Sequence, residues 1–224
     1  MATTAKKSVK TSGRAGRAGR PAQPLITREA AAAAALSLID RDGLDGLSLQ
    51  GVAQILGVSA PSLYYHFKDK EELLTEVARA VLEEIGRETG AWSDDWEKRT
   101  IELSIAARRV MLRHPNAAPL ALRFFPRKVM LPAYERSLVD CPYPPEVQAA
   151  ILEAIEKFTF GSALFAAAAE AHHTPSMPPV DEEHFPYLYR ALDAAPDADA
   201  IHAEALHVIL DGFRARYGGD KAKR

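Results

Sequence analysis

The chain has 224 residues, of which 47% are hydrophobic, so it can form one large domain or a small domain beside a larger one. No stretch approaches the roughly 20 consecutive apolar residues of a transmembrane helix. The single cysteine, Cys141, excludes an intrachain disulfide and a cysteine-based zinc site. The formal net charge of −2 conceals a strong asymmetry along the chain.

Residues 1–25 carry six Lys and Arg side chains and no acidic residue, which leaves 22 basic and 30 acidic side chains elsewhere. Their Gly- and Ala-rich composition predicts a disordered basic arm over residues 1–24. Such an arm attracts a polyanion such as DNA, although a merely solubilising tail has the same composition. The Ala-rich run that follows faintly suggests a secretory signal, but the leader is too long and the run fits an amphipathic helix better. We therefore expect a cytoplasmic protein that no membrane anchors.

The remaining chain has the pattern of an all-α protein, because Ala, Leu, Glu and Arg dominate and Val, Ile and Thr never gather into alternating runs. Helices are predicted over residues 27–42, 49–56, 70–88, 96–113, 118–124, 128–139, 146–172 and 197–217, with a further short helix after Ser59. The proline-rich segment 174–186 is predicted to be an irregular connection. We expect a small N-terminal three-helix domain over residues 25–75, a larger C-terminal helical domain over 76–218, and a tail over 219–224.

The helices on either side of Gly57 form a predicted helix-turn-helix, a unit whose second helix enters the DNA major groove. Ser48 can cap the first helix, and Leu49, Val52 and Leu56 follow the spacing of one buried face. Gly57 suits the tight turn between the two helices.

The second helix of this unit predicts a DNA-contacting surface. At about 100° per residue, Leu63 and Phe67 face the core while Tyr65 lies opposite them. Hydroxyl and apolar groups on that side can contact base edges and thymine methyls, and flanking residues can contact phosphates. The predicted DNA contacts are Ser48, Gln50, Ser59, Ala60, Pro61, Ser62, Tyr64, Tyr65, His66 and Lys70. The alternative is a helical hairpin whose aromatic residues pack on a neighbouring domain.

Residues 47–74 resemble the DNA-binding domain of the TetR family of transcriptional regulators. The resemblance is carried by Leu63-Tyr64-Tyr65-His66-Phe67, followed by the Lys-Asp-Lys segment 68–70 and the Leu pair 73–74. It implies a homodimer in which the helix-turn-helix DNA-binding domain of each subunit, residues 25–75, binds half of a palindromic double-stranded operator. It also implies that residues 76–218 form a ligand-binding and dimerisation domain that binds a small-molecule inducer. Repression relieved by that inducer is the expected mode of regulation, and activation is the alternative.

The C-terminal half also resembles the tetracycline-repressor branch of this family at residues 110–115, 158–161, 176–179 and 210–214. Two positions depart from that branch. Met111 stands at the position that resembles the magnesium-binding histidine, and Gly86 at the position of a histidine that grips the drug. A thioether is a poor ligand for a hard cation, which argues against recognition of a magnesium–tetracycline chelate. No metal or other cofactor is predicted.

An inducer pocket would lie among the C-terminal helices, as ligand sites in helical proteins often do. The candidate lining residues are aromatic, thioether or imidazole side chains, for each of which core packing is the alternative: Met111, His114, Phe124, Phe125, Met130, Phe158 and Phe165. Helices 146–172 and 198–217 are apolar enough to pair across a two-fold axis as a four-helix bundle, an assignment that rests mostly on the resemblance.

Two other functions compete with this interpretation. A helical enzyme is one, but no nucleophile–base pair, phosphate loop or metal-ligand spacing is recognisable, so none is predicted. A helix-turn-helix used only for protein contacts is the other. The histidines at 172, 173 and 184 do not predict a metal site, because adjacent helical residues point about 100° apart.

Overall fold

The computed structural model describes residues 26–88, 93–124, 127–175 and 177–218. The predicted basic arm and the predicted tail lie outside these residues. The described chain contains no strand, which confirms the all-α prediction. Its α-helices are α1 (Arg28–Asp42), α2 (Leu49–Leu56), α3 (Ala60–Leu63), α4 (Lys70–Glu88), α5 (Trp96–Arg113), α6 (Ala118–Arg123), α7 (Arg127–Leu138), α8 (Pro145–Ala171), α9 (Pro186–Asp193) and α10 (Ala198–Tyr217), with a 3-10 turn at Leu44–Gly46.

Side-chain caps fix the start of several helices. The side chains of Thr27, Ser48 and Asp95 accept hydrogen bonds from backbone N–H groups in the first turns of α1, α2 and α5. At the end of α2, Gly57 has φ +66°, a left-handed conformation that favours glycine and turns the chain towards α3. Ser59 occupies the N-cap position of α3, but its side chain makes no capping bond.

Helices α1 to α4 pack around one apolar core. Leu63 and Phe67 are fully buried in it beside residues of α1, α2 and α4. Ala117 and Leu120, which belong to α6 and the turn before it, complete the same core. The DNA-binding unit predicted from the sequence therefore shares its interior with a helix of the C-terminal half.

Helices α5, α8 and α10 form the centre of the C-terminal half. Trp96 of α5, Ile151 of α8 and Leu206 of α10 are buried in one cluster, and Tyr143 packs edge-on against the Trp96 ring. The phenol of Tyr143 donates to the Glu97 carboxylate at 2.7 Å. Burial and this hydrogen bond raise the pKa of Tyr143 above its ordinary range.

Two helices differ from the prediction. Helix α9 is absent from the predicted elements, and each of its residues but Pro186 is exposed. Helix α3 is a single turn that ends at Leu63, and the segment 64–66 continues as a hydrogen-bonded turn instead of more helix. The Leu63 carbonyl accepts from the N–H groups of both His66 and Phe67, which closes that turn. We call residues 59–67 the recognition segment.

Candidate DNA-binding surface and effector cavity

The recognition segment has one buried and one exposed side. Leu63 and Phe67 are anchored in the core, whereas Tyr65 is 91% exposed and Tyr64 58% exposed. Large aromatic side chains presented to solvent next to a fully buried pair are unusual for a surface turn. They offer a hydroxyl and an aromatic edge to whatever docks there.

The other predicted DNA contacts surround this turn. Ser48, Gln50, Ser59, Pro61 and Lys70 are exposed, and Ala60, Ser62 and His66 are half-buried. The hydroxyls of Ser59 and Ser62 lie 2.7 Å apart and hydrogen-bond each other. The Lys70 ammonium donates to the Leu47 carbonyl at 2.9 Å. Because an ammonium carries three N–H groups, it retains two for another acceptor.

Sequence reasoning missed Arg28, whose guanidinium lies behind the recognition segment. One of its nitrogens donates to the His66 carbonyl at 2.5 Å, and its carbon lies 4.6 Å from the centre of the Phe67 ring. Another nitrogen lies 2.8 Å from Glu72 and 3.0 Å from Glu76 on α4. A basic residue at a helix start carries no local signal of such contacts, since its partners are 38 to 48 residues away.

A cavity of about 840 Å³ lies where the end of α8 meets the start of α10. Its lining residues are contributed by α5, α8, the segment after α8 and the start of α10: Arg108, Leu112, Ala166, Ala169, Glu170, His173, Thr174, Pro175, Asp197, Ala198 and Asp199. The volume suits a small organic molecule. It is a shallow cleft that is largely open to solvent, and its lining combines apolar side chains with charged groups.

Arg108 is the buried charge of this cavity, with only 5% of its surface exposed. Its guanidinium pairs with Asp199 at 2.5 Å and approaches the Ser162 hydroxyl at 3.3 Å. Ser162 in turn contacts the His202 ring nitrogen Nδ1 at 3.1 Å, and that ring stacks on Phe158. Burial and the positive charge of Arg108 lower the pKa of His202, although Asp199 opposes them. Both effects favour the neutral form of the ring.

The predicted inducer-pocket residues occupy several different environments. Met111 is fully buried against α6 and α8, Phe124 packs on the core of α1 to α4, and Met130 packs on the cluster around Val81. Phe158 stacks on His202, and Phe165 is 83% exposed. None of them lines the 840 Å³ cavity. Phe125 lies outside the described residues.

His114, the remaining predicted pocket residue, connects the two halves of the chain. Its Nδ1 lies 2.7 Å from Asp40 at the end of α1, and its Nε2 lies 3.3 Å from Glu84 on α4. Burial favours a higher pKa for Glu84, but hydrogen bonds from Arg113 and the His114 ring outweigh it and lower the pKa below its ordinary value. His114 also borders a smaller cavity of about 530 Å³ beside α1.

The outer faces of α8 and α10 carry exposed apolar side chains. Phe165 projects from α8, and Ile201 and Val208 project from α10. Gly161 and Gly212 also lie on these helices, and a Cβ added to either would meet no atom within 4 Å. Adjacent apolar and small residues leave room for close approach by other helices.

Two further observations concern metal ligands and membrane-spanning helices among the described residues. They contain no group of three or more His, Cys, Asp or Glu side chains that could hold a metal ion. None of the helices among them is long and apolar enough to cross a membrane.

Comparison with known proteins identifies both halves of the chain. A family model described as bacterial regulatory proteins, tetR family, matches residues 32–77, and one described as tetracyclin repressor-like, C-terminal domain, matches residues 90–217. The tetracycline repressor protein class A from transposon 1721 of Escherichia coli is 30% identical over 189 residues, which cover 81% of this chain and 88% of the relative.

Solved structures match over most of the fold. A possible TetR family transcriptional regulator from Streptomyces coelicolor A3(2) has a TM-score of 0.68 and 28% identity, with 84% of this chain and 99% of that chain covered. A TetR variant from Acinetobacter baumannii AYE in complex with minocycline has a TM-score of 0.66 and 25% identity, with 88% and 97% covered.

Proposed function

Because this chain belongs to the tetR family of bacterial regulatory proteins, we propose that it is a ligand-responsive transcriptional repressor that binds a palindromic operator as a homodimer. The chain is a transcriptional regulator and not an enzyme. The observation that carries the proposal is the recognition segment, in which Leu63 and Phe67 anchor a turn that presents Tyr65 to solvent. Its place of action is the cytoplasm, where the operator DNA lies.

Operator recognition is assigned to the exposed side of this segment. Tyr65, Ser62 and Pro61 contact base edges and thymine methyls, because their hydroxyl and apolar groups fit those partners. Tyr64, His66 and Lys70 contact phosphates, together with Gln50 and Ser48 at the start of α2. This division is supported by the exposure of the two tyrosines and by the donors that remain on the Lys70 ammonium.

The dimer is proposed to form through α8 and α10. The exposed side chains of Phe165, Ile201 and Val208 would be buried against their symmetry mates in a four-helix bundle. A charge at Val208 tests this, because that side chain is exposed in one protomer and its replacement leaves the protomer's own core intact. We expect Val208→Glu to elute as a 24.4 kDa monomer. The matched control, Val139→Glu, changes an exposed valine outside both helices and should remain dimeric.

The effector is proposed to be a small organic molecule that binds in the C-terminal half. A related repressor from Acinetobacter baumannii AYE has been solved in complex with minocycline. In this chain, Met111 is fully buried and Gly86 offers no side chain, so the two positions expected to bind a magnesium chelate supply no ligand. The cavity beside Arg108 is the site we favour for the effector. Binding there would release the operator only to the extent that the ligand prefers the non-binding conformation.

A gel-shift titration tests the central proposal. The probe is the DNA upstream of the protein's own gene, with a scrambled duplex of the same length as control, at salt concentrations from about 50 to 200 mM. We expect tighter binding to the upstream fragment and a loss of affinity as salt rises. Absence of DNA binding at the lowest salt would contradict the proposed function. A thermal-shift screen of small molecules would then identify the effector, since a ligand that binds the folded state raises the melting temperature.

A further inference from the structure

The recognition segment is too short to hold its own shape. Helix α3 contains only four residues, and a single helical turn is unfavourable in isolation because nucleation fixes several torsions for few hydrogen bonds. The residues that carry the exposed tyrosines lie in the turn after it. The direction in which Tyr64 and Tyr65 point must therefore be set by groups outside the segment.

Arg28 supplies such a group at the end of the turn. Its guanidinium donates to the His66 carbonyl and covers the buried Phe67 ring at 4.6 Å. Carbonyl groups at the end of a helical turn lack intrahelical partners, so an external donor stabilises them. The contact with the ring adds a cation–π attraction at the residue that anchors the turn in the core.

Two carboxylates of α4 hold the guanidinium in place. Glu76 accepts from two Arg28 nitrogens at 3.0 and 3.3 Å, and Glu72 lies 2.8 Å from one of them. The other oxygen of Glu72 accepts from the Lys68 N–H at 2.7 Å, immediately after the recognition segment. The planar guanidinium thus joins the start of α1, the recognition turn and α4 through one rigid group. A lysine ammonium is a point charge and cannot reproduce this geometry.

We propose that Arg28 is a positioning residue for operator recognition, which orients the exposed tyrosines from behind without contacting the DNA. The inference rests on the proposed function. Its consequence falls mainly on sequence discrimination: loss of the guanidinium misdirects Tyr65, which contacts a base, whereas the phosphate contacts of Lys70 and of the start of α2 lie outside the turn and stay intact.

The test compares Arg28→Lys with Arg79→Lys. Arg79 is a matched control, since it pairs with Glu76, the same carboxylate that holds Arg28, at 2.7 Å within α4 and reaches Glu29 of α1 at 3.8 Å. Fluorescence anisotropy measures Kd for an operator selected from random DNA and for a scrambled duplex. We expect Arg28→Lys to lower the ratio of the two affinities roughly 10-fold per dimer, which is less than the loss of a whole base contact in both protomers because the tyrosines themselves remain. The scrambled-duplex Kd should rise by a smaller factor than the operator Kd, because only the phosphate contacts of the turn are shared by both duplexes. Arg79→Lys should keep the wild-type ratio.

Three outcomes would overturn the inference. An unchanged ratio in Arg28→Lys means that the turn is positioned without the guanidinium. An equal loss in Arg79→Lys means that any weakened contact between α1 and α4 has the same effect. A salt slope reduced by about one unit per protomer in Arg28→Gln, which removes the charge, means that Arg28 itself binds a phosphate. A wild-type protein that selects no operator would instead refute the proposed function, and the inference with it.

A second variant and a DNA-independent measurement cover the case in which Arg28→Lys is poorly folded. Glu72→Gln removes a charged partner of Arg28, so we expect a smaller loss of discrimination, and the double variant should lose less than the sum of the two. Hydrogen exchange at the amides of residues 64–67 should accelerate in Arg28→Lys and not in Arg79→Lys. Equal exchange in both variants would also overturn the inference.

Discussion

Replacing Tyr65 with alanine separates DNA recognition from folding. Tyr65 is 91% exposed, so its removal should change the free energy of unfolding by less than about 0.5 kcal/mol. Removing a base contact costs about 1–3 kcal/mol of operator binding. Because a homodimer places two copies on the palindrome, the expected loss is roughly 2–6 kcal/mol per dimer, which corresponds to at least about a 30-fold weaker Kd.

Fluorescence anisotropy at fixed salt measures this loss on the selected operator and on a scrambled duplex. The matched control is Tyr187→Ala, since Tyr187 is 84% exposed in α9, far along the chain from the recognition segment. Tyr65→Phe distinguishes the hydroxyl from the ring: a hydrogen bond to a base edge is lost in the phenylalanine variant, whereas an apolar contact with a thymine methyl is retained.

An equal loss of affinity on both duplexes would refute the assignment of Tyr65 to a base, because phosphate contacts carry no sequence information. If the operator affinity is unchanged in Tyr65→Ala, the assignment of the exposed side of the recognition segment to operator binding is refuted. A fall in the melting temperature of several degrees would show that the side chain has a structural role that its exposure does not reveal.

Three further predictions concern the arm, the core and the buried histidine. Deleting residues 1–22 should flatten the dependence of log K on log salt by about 0.9 for each phosphate that the arm neutralises, as measured by anisotropy, and an unchanged slope would place the arm off the DNA. Leu63→Ala should lower the free energy of unfolding in urea by about 2–5 kcal/mol, since Leu63 is fully buried, and a decrease below about 1 kcal/mol would contradict its place in the core. Burial and the charge of Arg108 lower the pKa of His202, so the unfolded chain binds the proton more readily. Stability should therefore fall as pH drops below about 6.5, and less so in His202→Phe; equal pH dependence in both proteins would contradict this assignment.

The helix-turn-helix could be predicted because its determinants are local. The side chains of Thr27 and Ser48 each cap a helix through a backbone N–H three residues away, and Gly57 adopts its left-handed conformation within the turn itself. The apolar spacing that marks Leu63 and Phe67 as core residues likewise needs only the helical period. These signals remain valid whatever the rest of the chain does.

Features could not be predicted where the local sequence is ambiguous or where the partners are distant in the chain. The density of prolines predicts that Pro186 belongs to an irregular connection. Because proline is also favoured in the first turn of a helix, the same residue can begin α9, and the sequence alone does not distinguish the two. Apolar side chains carry no mark of burial: Met111 is fully buried and Phe165 is almost fully exposed, yet the sequence predicts that both line one pocket. Arg28 and Arg108 acquire their roles from carboxylates on other helices.

The placement of α6 changes how a ligand signal must reach the DNA. Helix α4 runs from the end of the recognition segment towards the C-terminal half, so its position in the chain favours it as the element that transmits movement between the two. Leu120 of α6, however, lies in the same core as Phe67, and His114 contacts both Asp40 of α1 and Glu84 of α4. The DNA-binding helices therefore cannot rotate on α4 alone without disturbing α6. A ligand that displaces α6 acts directly on the core that fixes the recognition segment, and a ligand that leaves α6 in place must break these contacts by some other means to release the operator.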